Sequence, residues 1–270
     1  MQTVRQPAVA GAFYPGQTTE LSRDVRALLA NVPVVVGTEG PVPKALIVPH
    51  AGYIYSGSTA ALAYARLAPA RQIIRRVVLL GPAHRVPVRG LALPGDDYVA
   101  TPLGTVAVDQ AAVAQLAQLP QVVVSRAVHA QEHALEVQLP FLQTVLDDFQ
   151  LVPLVVGDAT PEEVAEVLEL LWGGPETLLV ISSDLSHFLP YRSAQQTDNR
   201  TVKSILNLDG PLNHQQACGG TPINGLLLAA RHHGLQPQLL GLCNSGDTAG
   251  DMARVVGYAA LAFTEVSHAR

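Results

Sequence analysis

This chain of 270 residues has few charged residues (14%), few aromatic residues (5%) and only two cysteines. Two cysteines, Cys218 and Cys243, are too few for the disulfide framework of a small secreted protein. The formal net charge is −5 without a basic cluster, which argues against nucleic acid or an anionic membrane as a partner. No apolar run reaches 18 residues and the N-terminus has no signal region, so we expect a cytoplasmic protein without a transmembrane helix.

Common nucleotide and hydrolase motifs are also missing. The chain contains no G-x-G-x-x-G, no P-loop and no G-x-S-x-G. These absences disfavour dinucleotide-binding, NTP-hydrolysing and α/β-hydrolase functions. Apolar residues, in contrast, make up 48% of the chain, which is ample material for a core. We therefore expect one α/β domain over residues 1–270, with a central, largely parallel or mixed sheet flanked by helices in three layers.

Histidines follow three of the apolar runs. Such runs are typical of buried strands in a parallel sheet, and ligands bind at the carboxyl ends of those strands. Three histidines at three strand ends can therefore meet in one pocket, as a metal site or a histidine-based active site. The runs begin at Ala45, Val77 and Leu178, and they lead to His50, His84 and His187.

The remaining pattern predicts helices between and after these strands. A Thr-Pro-Glu-Glu sequence at 160–163 is a strong helix start. Short alternating runs broken by Pro and Gly over 88–108 indicate a hairpin-like excursion, and 33–43 reads mainly as a loop. Further strands are predicted at 151–156, 239–243 and 255–263. Helices are predicted at 18–29, 58–67, 109–119, 132–147 with a disturbance at Pro140, 194–208, 212–217 and 221–233.

Asp184 and Cys218 are two further candidates for the pocket. Asp184 lies three residues before His187, where its carboxylate can bind a metal, orient an imidazole, or cap a turn with the preceding serines. Cys218 precedes Gly219-Gly220, a pair that permits close approach of the backbone, so its thiol can reach a metal or an electrophile. Cys243 lies in an apolar strand and is expected to fill core space.

Residues 129–133 read His-Ala-Gln-Glu-His, which matches the H-x-x-E-H pattern of inverted zinc proteases. That chemistry needs both histidines on one helix face and a third ligand downstream. The alternative is that Glu132 and His133 start a helix and form a polar rim of the histidine pocket. His232-His233, near a helix end, is expected to be a solvated pair favoured by the helix dipole.

Six segments together resemble the Memo family, in family order and across nearly the whole chain. They are Pro7-Ala-Val-Ala-Gly-Ala-Phe-Tyr-Pro15, Pro49-His-Ala-Gly-Tyr-Ile-Tyr-Ser-Gly57, Leu80-Gly-Pro-Ala-His84, Glu132-His-Ala-Leu-Glu-Val-Gln-Leu-Pro140, Ser182-Ser-Asp-Leu-Ser-His187 and Cys218-Gly-Gly-Thr-Pro-Ile223. The resemblance implies the fold of class III extradiol dioxygenases, non-haem iron enzymes with two histidines and a glutamate as Fe(II) ligands. It implies His50 and His84 as metal ligands, Cys218 at the position of the carboxylate, and His187 as acid/base, with Asp184 beside it and His133 lining the pocket.

The cysteine at the carboxylate position is a departure from the dioxygenase pattern. A thiolate is a softer ligand, which favours copper or zinc relative to the dioxygenase set, and it is open to oxidation. The expected function is therefore a metal-dependent redox enzyme with iron or copper, and zinc as a further option, acting on a small substrate. The alternative is a non-catalytic protein that binds metal or a peptide. The family resemblance also implies signalling through phosphotyrosine peptides in animals and an association with radical-SAM proteins in bacteria.

Overall fold

A computed structural model describes residues 2–33 and 40–265, so part of the loop predicted at 33–43 lies outside the described residues. The strands are β1 (Val4–Arg5), β2 (Ala45–Val48), β3 (Arg76–Pro82), β4 (Leu91–Leu93), β5 (Tyr98–Thr101), β6 (Gly104–Ala107), β7 (Val122–Val124), β8 (Gln150–Val156), β9 (Thr177–Ser182), β10 (His187–Leu189), β11 (Gln236–Asn244) and β12 (Val255–Thr264). The α-helices are α1 (Thr18–Ala30), α2 (Tyr53–Tyr64), α3 (Gln110–Leu116), α4 (Arg126–Ala130), α5 (Leu139–Val145), α6 (Pro161–Leu170), α7 (Tyr191–Leu206) and α8 (Gly220–His232).

A mixed sheet of nine strands forms the centre of the described part of the chain. Its order is β10-β12-β2-β9-β3-β8-β4-β7, with β11 paired to β12. The four central strands β2, β9, β3 and β8 run parallel to one another, whereas β12 is antiparallel to β2 and β4 is antiparallel to β8. The carboxyl ends of the parallel strands therefore share one edge of the sheet, as the apolar runs predict.

Alternate residues of the central strands pack into two hydrophobic clusters, one on each face of the sheet. In β2, Leu46 and Val48 belong to the first cluster, and Ala45 and Ile47 belong to the second. Helices α1, α2 and α5 cover the first face, and α3, α6, α7 and α8 cover the second. This arrangement gives the three layers predicted for an α/β fold, because each strand must bury both of its faces.

Local signals predicted several elements well. The strand predicted from Ala45 to Val48 has those bounds, and α6 begins with a capping box in which Thr160 and Glu163 exchange hydrogen bonds. The hairpin excursion is found in β5 and β6, which pair antiparallel, whereas β4 joins the main sheet. Helix α2 begins at Tyr53, earlier than the predicted start at Ser58.

Two of the predicted helices are wrong. The segment 132–147 is not one helix: residues 131–135 are irregular, a 3₁₀ turn covers Glu136–Gln138, and α5 starts with Pro140 in its first turn. Proline is well accommodated there because its missing N–H needs no partner. Residues 212–217 are not helical and include a turn at 214–216, because the Asn213 carboxamide accepts hydrogen bonds from the backbone of Gln215 and Gln216 and competes with helix formation.

The N-terminal segment is attached to the core through the carboxylate of Glu136. This buried side chain accepts hydrogen bonds from Arg5, from the backbone N–H groups of Ala8 (2.7 Å) and Val9 (2.9 Å), and from the Tyr14 hydroxyl (2.6 Å). β1 also pairs with β5 in a second, three-stranded sheet. These contacts hold the segment before α1 against the irregular stretch that carries His133.

Within the described residues, no helix has the combination of length and apolar character that crossing a membrane requires.

Candidate metal centre

The ends of three neighbouring parallel strands provide the first part of the site. β9 lies between β2 and β3, and a polar side chain follows each strand after one intervening residue. His50 follows β2, His84 follows β3, and Asp184 follows β9. Because these strands are parallel and adjacent, residues that are up to 134 positions apart in sequence come to one edge of the sheet.

Three histidines converge at this edge: His50, His84 and His133. Each offers one ring nitrogen, and these nitrogens lie within 4.8 Å of one another. The ring centroids are 5.2 Å apart for His50 and His84, 5.5 Å for His50 and His133, and 4.6 Å for His84 and His133. His133 reaches the site from the irregular stretch between α4 and the 3₁₀ turn. This spacing suits a metal ion bound by imidazole nitrogens.

Hydrogen bonds around Ser182 define the protonation of His50. The Ser182 hydroxyl donates its proton to the Ala134 carbonyl (2.6 Å) and accepts from the Gln138 amide (2.8 Å). Its remaining lone pair faces Nδ1 of His50 at 3.0 Å, so Nδ1 carries the proton and Nε2 keeps its lone pair. Burial, with a smaller contribution from the nearby His84, lowers the pKa of His50 to about 3, so the imidazole is neutral at physiological pH.

Glu132 orients His84 in the same way. Its carboxylate accepts hydrogen bonds from both the backbone N–H (2.6 Å) and Nδ1 (2.9 Å) of His84, which leaves Nε2 of that ring free. Burial raises the pKa of Glu132, but hydrogen bonds from His84 and Ala134 outweigh burial and bring the pKa down to about 2. A carboxylate behind an imidazole is a common support for a metal-binding histidine.

One ring nitrogen of His133 is buried without a hydrogen bond to the part of the chain that the structure describes. Its Nδ1 is buried and has no hydrogen-bond partner among the described residues, although it lies 3.4 Å from the Glu132 carboxylate. Burial, followed by the charge of His50, lowers the pKa of His133 to about 4. Three imidazoles that each offer one ring nitrogen within 4.8 Å of the others form a donor set that fits a borderline divalent ion.

Cys218 contacts this cluster through one of its histidines. Its Sγ lies 3.3 Å from Nε2 of His50 and 3.6 Å from the Asp184 carbonyl oxygen. Burial, with a further contribution from the Asp184 carboxylate, raises the pKa of the Cys218 thiol to about 12. A Cβ on Gly219 would lie 2.7 Å from Cβ of Ser183, so the absence of a side chain at 219 permits this close approach. The cysteine therefore lies beside the three-histidine group, in contact with the nitrogen of His50 that is free to bind a metal.

Asp184 and His187 have different surroundings. Oδ1 of Asp184 accepts a hydrogen bond from the backbone N–H of His50 (2.7 Å), and burial raises the pKa of this carboxyl. Asp184 thus fixes the backbone that carries His50. His187 is half-buried at the start of β10, where its Nδ1 donates to the Leu185 carbonyl (2.9 Å) and its Nε2 remains available. It lines the cavity described next.

Two cavities meet at His84 and His187. The first, of about 540 Å³, has aromatic and charged walls and is lined by Phe13, His50, Ala51, Gly52, Tyr55, His84, His133, Asp184, His187, Ser245, Gly250, Asp251, Arg254, Val256 and Tyr258. The second, of about 750 Å³, is lined by His84, His187, Leu189, Thr197, Asn213, His214, Gln215, Gln216 and Cys218. Volumes of this size suit a small molecule or a side chain of a peptide.

The H-x-x-E-H pattern does not bring its two histidines to one ion. Nε2 of His129 is hydrogen-bonded to the Ala92 carbonyl at 2.7 Å, in a buried position against β4. Among the described residues, the group around His133 contains His50 and His84, and His129 does not belong to it. Glu132 supports His84, where the protease pattern assigns it as a general base. The protease interpretation is therefore wrong for this arrangement.

The fold and the site together define an α/β protein that has a histidine cluster at the carboxyl edge of its sheet. The sequence pattern of the Memo-like protein family matches residues 5–262. This chain is 37%, 36% and 35% identical to MEMO1 family proteins from Methanosarcina barkeri, Ignicoccus hospitalis and Aquifex aeolicus, respectively. Each alignment covers 96% of this chain and 98–99% of the relative. The chain belongs to the Memo family, as its sequence segments indicate.

A solved structure resembles the fold at a much lower sequence identity. The crystal structure of an uncharacterized protein from Escherichia coli K12 superimposes with a TM-score of 0.51 and 16% identity, covering 82% of this chain and all of that one. This likeness concerns the fold alone.

The structure brings together all six residues singled out from the sequence: His50, His84, His133, Asp184, His187 and Cys218. Two further residues orient the histidines: Glu132, for which the sequence predicted another role, and Ser182, which the sequence analysis did not single out. Glu132 was expected at a polar rim and instead holds His84, and Ser182 sets the proton on His50. The position of Glu132 next to His133 in the sequence indicated that it lies near the site. Nothing in the sequence indicated the role of Ser182, because serine occurs at strand ends in many structural roles.

Proposed function

We propose that His50, His84 and His133 hold an iron or copper ion, with Cys218 as the neighbouring thiol, and that the chain is a metal-dependent redox enzyme for a small substrate. The observation that carries this proposal is the protonation pattern of the cluster. Ser182 and Glu132 hold Nδ1 of His50 and of His84, so that Nε2 of each ring keeps its lone pair, and His133 offers one ring nitrogen to the same group. Bound iron or copper would supply Lewis acidity and electron transfer.

The chain's own residues would position the substrate and move a proton. Arg254, Tyr55 and Tyr258 line the 540 Å³ cavity and can bind an anionic or hydroxylated small molecule. His187 lines the same cavity and keeps Nε2 available, because its Nδ1 is bonded to the Leu185 carbonyl. We assign to His187 the transfer of a proton to or from the bound molecule. Asp184 would keep the backbone of His50 in place through its hydrogen bond.

Metal analysis of the full chain under anaerobic conditions tests the metal site. We expect one equivalent of Fe(II) after reconstitution and gel filtration, with loss of metal in H84A and H133A. The matched control is H214A, since His214 is an exposed histidine beside the same groove. Retention of one equivalent in both H84A and H133A would refute the proposed ligand set.

The role of Cys218 needs a separate comparison. A C218S variant keeps the size of the side chain and removes the soft ligand. A large loss of copper affinity with a smaller effect on iron would support the thiol as a fourth ligand. Unchanged affinities for both ions would restrict the ligand set to the three histidines.

Binding of a peptide without turnover is a second candidate, favoured by apolar side chains around the cavity. Ile54, Phe188 and Met252 are 71%, 59% and 60% exposed, and each is close in sequence to a residue that lines the 540 Å³ cavity. The Arg254 guanidinium lies 4.9 Å from the Phe188 ring centroid, so a cation stands next to this apolar surface. Such a combination suits an aromatic, anionic peptide segment, including a phosphotyrosine peptide.

Oxygen consumption and peptide binding distinguish the two candidates. The iron-loaded protein would consume oxygen in the presence of catechols or other aromatic hydroxyl compounds if it is an enzyme, and H187A would reduce the rate strongly without loss of metal. Anisotropy of a labelled phosphotyrosine peptide, compared in the wild type and R254A, reports the binding alternative. Saturable peptide binding that depends on Arg254, with no oxygen consumption across the substrate panel, would favour the non-catalytic candidate.

A further inference from the structure

A second group of potential metal ligands lies at the opposite edge of the sheet. Glu169 is the penultimate residue of α6, His232 is the last residue of α8, and His233 follows it. Nδ1 of His232 lies 2.9 Å from Oε1 of Glu169, and Nε2 of His233 lies 2.8 Å from Oε2. The three ligand atoms are within 4.8 Å of one another. Without an ion, the carboxylate bridges the two imidazoles.

We propose that Glu169, His232 and His233 form a surface site for a borderline divalent cation such as Zn²⁺, Ni²⁺ or Cu²⁺. Two imidazoles and one carboxylate match the ligands these ions prefer. In a tetrahedral site with bonds of about 2.0–2.1 Å, neighbouring ligand atoms are roughly 3.3 Å apart. The two imidazole nitrogens lie 2.9 and 2.8 Å from different oxygens of Glu169, and the three ligand atoms are already within 4.8 Å of one another, so modest side-chain rotations bring them to this spacing.

The two helix ends add to the attraction for a cation. Both α6 and α8 terminate at this group, and the free carbonyl groups at a helix C-terminus carry partial negative charge. His232 is mostly exposed, so an ion bound here would keep solvent-accessible positions for water or a further ligand. The group therefore suits an accessible site on the protein surface, in contrast to the buried histidine cluster at the other edge.

Trp172 holds one of the ligands in a fixed orientation. Its ring stacks on the His233 ring with 3.7 Å between centroids and an angle of 8°. The Trp172 ring lies 5.4 Å from Nζ of Lys44, which donates hydrogen bonds to the carbonyl groups of Trp172, Gly174 and Thr177. A preoriented imidazole loses less freedom on binding, which favours the metal-bound state.

Trp172 is also the only tryptophan of the chain, so its fluorescence reports this group directly. The buried cluster is remote from it: Cys218 precedes the start of α8, and His232 is at its end. Thirteen helical residues at 1.5 Å each separate the two sites by about 20 Å. Cu²⁺ bound beside His233 would quench the emission strongly, and Cu²⁺ in the buried cluster would quench it weakly.

The test is a titration of metal-free full-length protein with Cu²⁺ at pH 7.5, followed by addition of Zn²⁺. We expect saturable quenching of Trp172, recovery of emission when Zn²⁺ displaces Cu²⁺, and at least a tenfold higher Cu²⁺ requirement in H232A and E169Q. H214A changes an exposed histidine near the buried cluster and should titrate like the wild type. H232A removes an exposed side chain, so it keeps the experiment interpretable if E169Q fails to fold. Equal titrations in the wild type and H232A, or no quenching in the wild type with excess Cu²⁺, would overturn the proposal.

Discussion

Glu132 accepts two hydrogen bonds from His84, one from the backbone N–H at 2.6 Å and one from Nδ1 at 2.9 Å. One carboxylate thus controls both where the chain places this histidine and which ring nitrogen is free. We predict that E132Q retains the fold but lowers the affinity of the buried cluster for Fe(II) by about 10- to 100-fold, since an amide cannot serve both donors as a carboxylate does. Metal titration of E132Q and of D148N, which alters an exposed carboxylate, measures the effect; equal affinities would contradict it.

The ion pair between Arg5 and Glu136 is expected to dominate the attachment of the N-terminal segment. Both side chains are buried, and Glu136 accepts three further hydrogen bonds. We predict that E136Q reduces the free energy of unfolding by about 3–5 kcal/mol, because it leaves the charge of Arg5 buried without a counterion. The exposed pair Arg71–Asp147 is a matched control, and D147N should cost less than about 1 kcal/mol.

A double-mutant cycle identifies the cause of that loss. In R5M/E136Q the uncompensated charge is removed, so part of the stability should return relative to E136Q alone. Chemical denaturation of the four proteins gives the interaction energy. Strict additivity of the two single changes would show that the pair itself contributes nothing.

Acid should destabilise the metal-free protein partly through His129. Burial lowers the pKa of His129 to about 4 in the folded state, against an ordinary value of about 6.5 in the unfolded chain. Between these values the unfolded state binds a proton that the folded state does not, so stability falls as the pH falls from 6.5 to 4. The contribution is about 1.4 kcal/mol per pH unit, or about 3 kcal/mol over the whole window.

Replacing His129 should remove this contribution. H129Q keeps a side-chain donor for the Ala92 carbonyl, and we expect its free energy of unfolding to vary with pH by about 1.4 kcal/mol per unit less than that of the wild type. Urea denaturation at several pH values from 4.5 to 6, in the presence of a chelator, gives the slopes. H214Q is the control, since His214 is exposed. A wild-type slope in H129Q would exclude His129 as the source.

Gly219 should be intolerant of a side chain because its Cα lies against Ser183. An added Cβ would be 2.7 Å from Cβ and 2.8 Å from Oγ of that serine. We predict that G219A costs about 1–3 kcal/mol in stability and weakens metal binding, since relief of the overlap moves Cys218 relative to His50. Thermal unfolding and metal titration measure both effects. G219A/S183G removes the overlapping atoms and should recover part of the stability; no recovery would point to another cause.

Local sequence signals predicted the parallel strands and thereby the main feature of the site. The run before His50 and the run before His84 were identified as buried strands, and the rule for parallel sheets placed their ends together. The role of His133 did not follow from local pattern. Its stretch was predicted as helical from a continuous spacing of apolar residues, whereas the chain there is irregular and packed around the Glu136 carboxylate. Glu136 accepts hydrogen bonds from residues about 130 positions earlier in the chain. A contact between such distant residues leaves no trace in the local pattern of apolar residues.

The positions of the hydrogen atoms on the imidazole rings also could not be predicted from the sequence. The proton on Nδ1 of His50 depends on Ser182, Ala134 and Gln138 meeting at one hydroxyl. Each of these residues is ordinary by itself, and only their arrangement in space determines which imidazole nitrogen can bind a metal. The family resemblance implied His50 and His84 as metal ligands, and the structure shows the hydrogen bonds that orient both rings.

The order β2-β9-β3 has a consequence for how this protein folds. The two strands that lead to His50 and His84 are joined through β9, whose residues are at least 95 positions later in the chain than those of β3. Closing loops of that length is slow, because their entropy must be lost before the strand contacts form. The histidines therefore become neighbours only after the centre of the sheet has assembled. A metal ion would stabilise the finished fold by mass action, but it has no preformed site with which to guide the nascent chain.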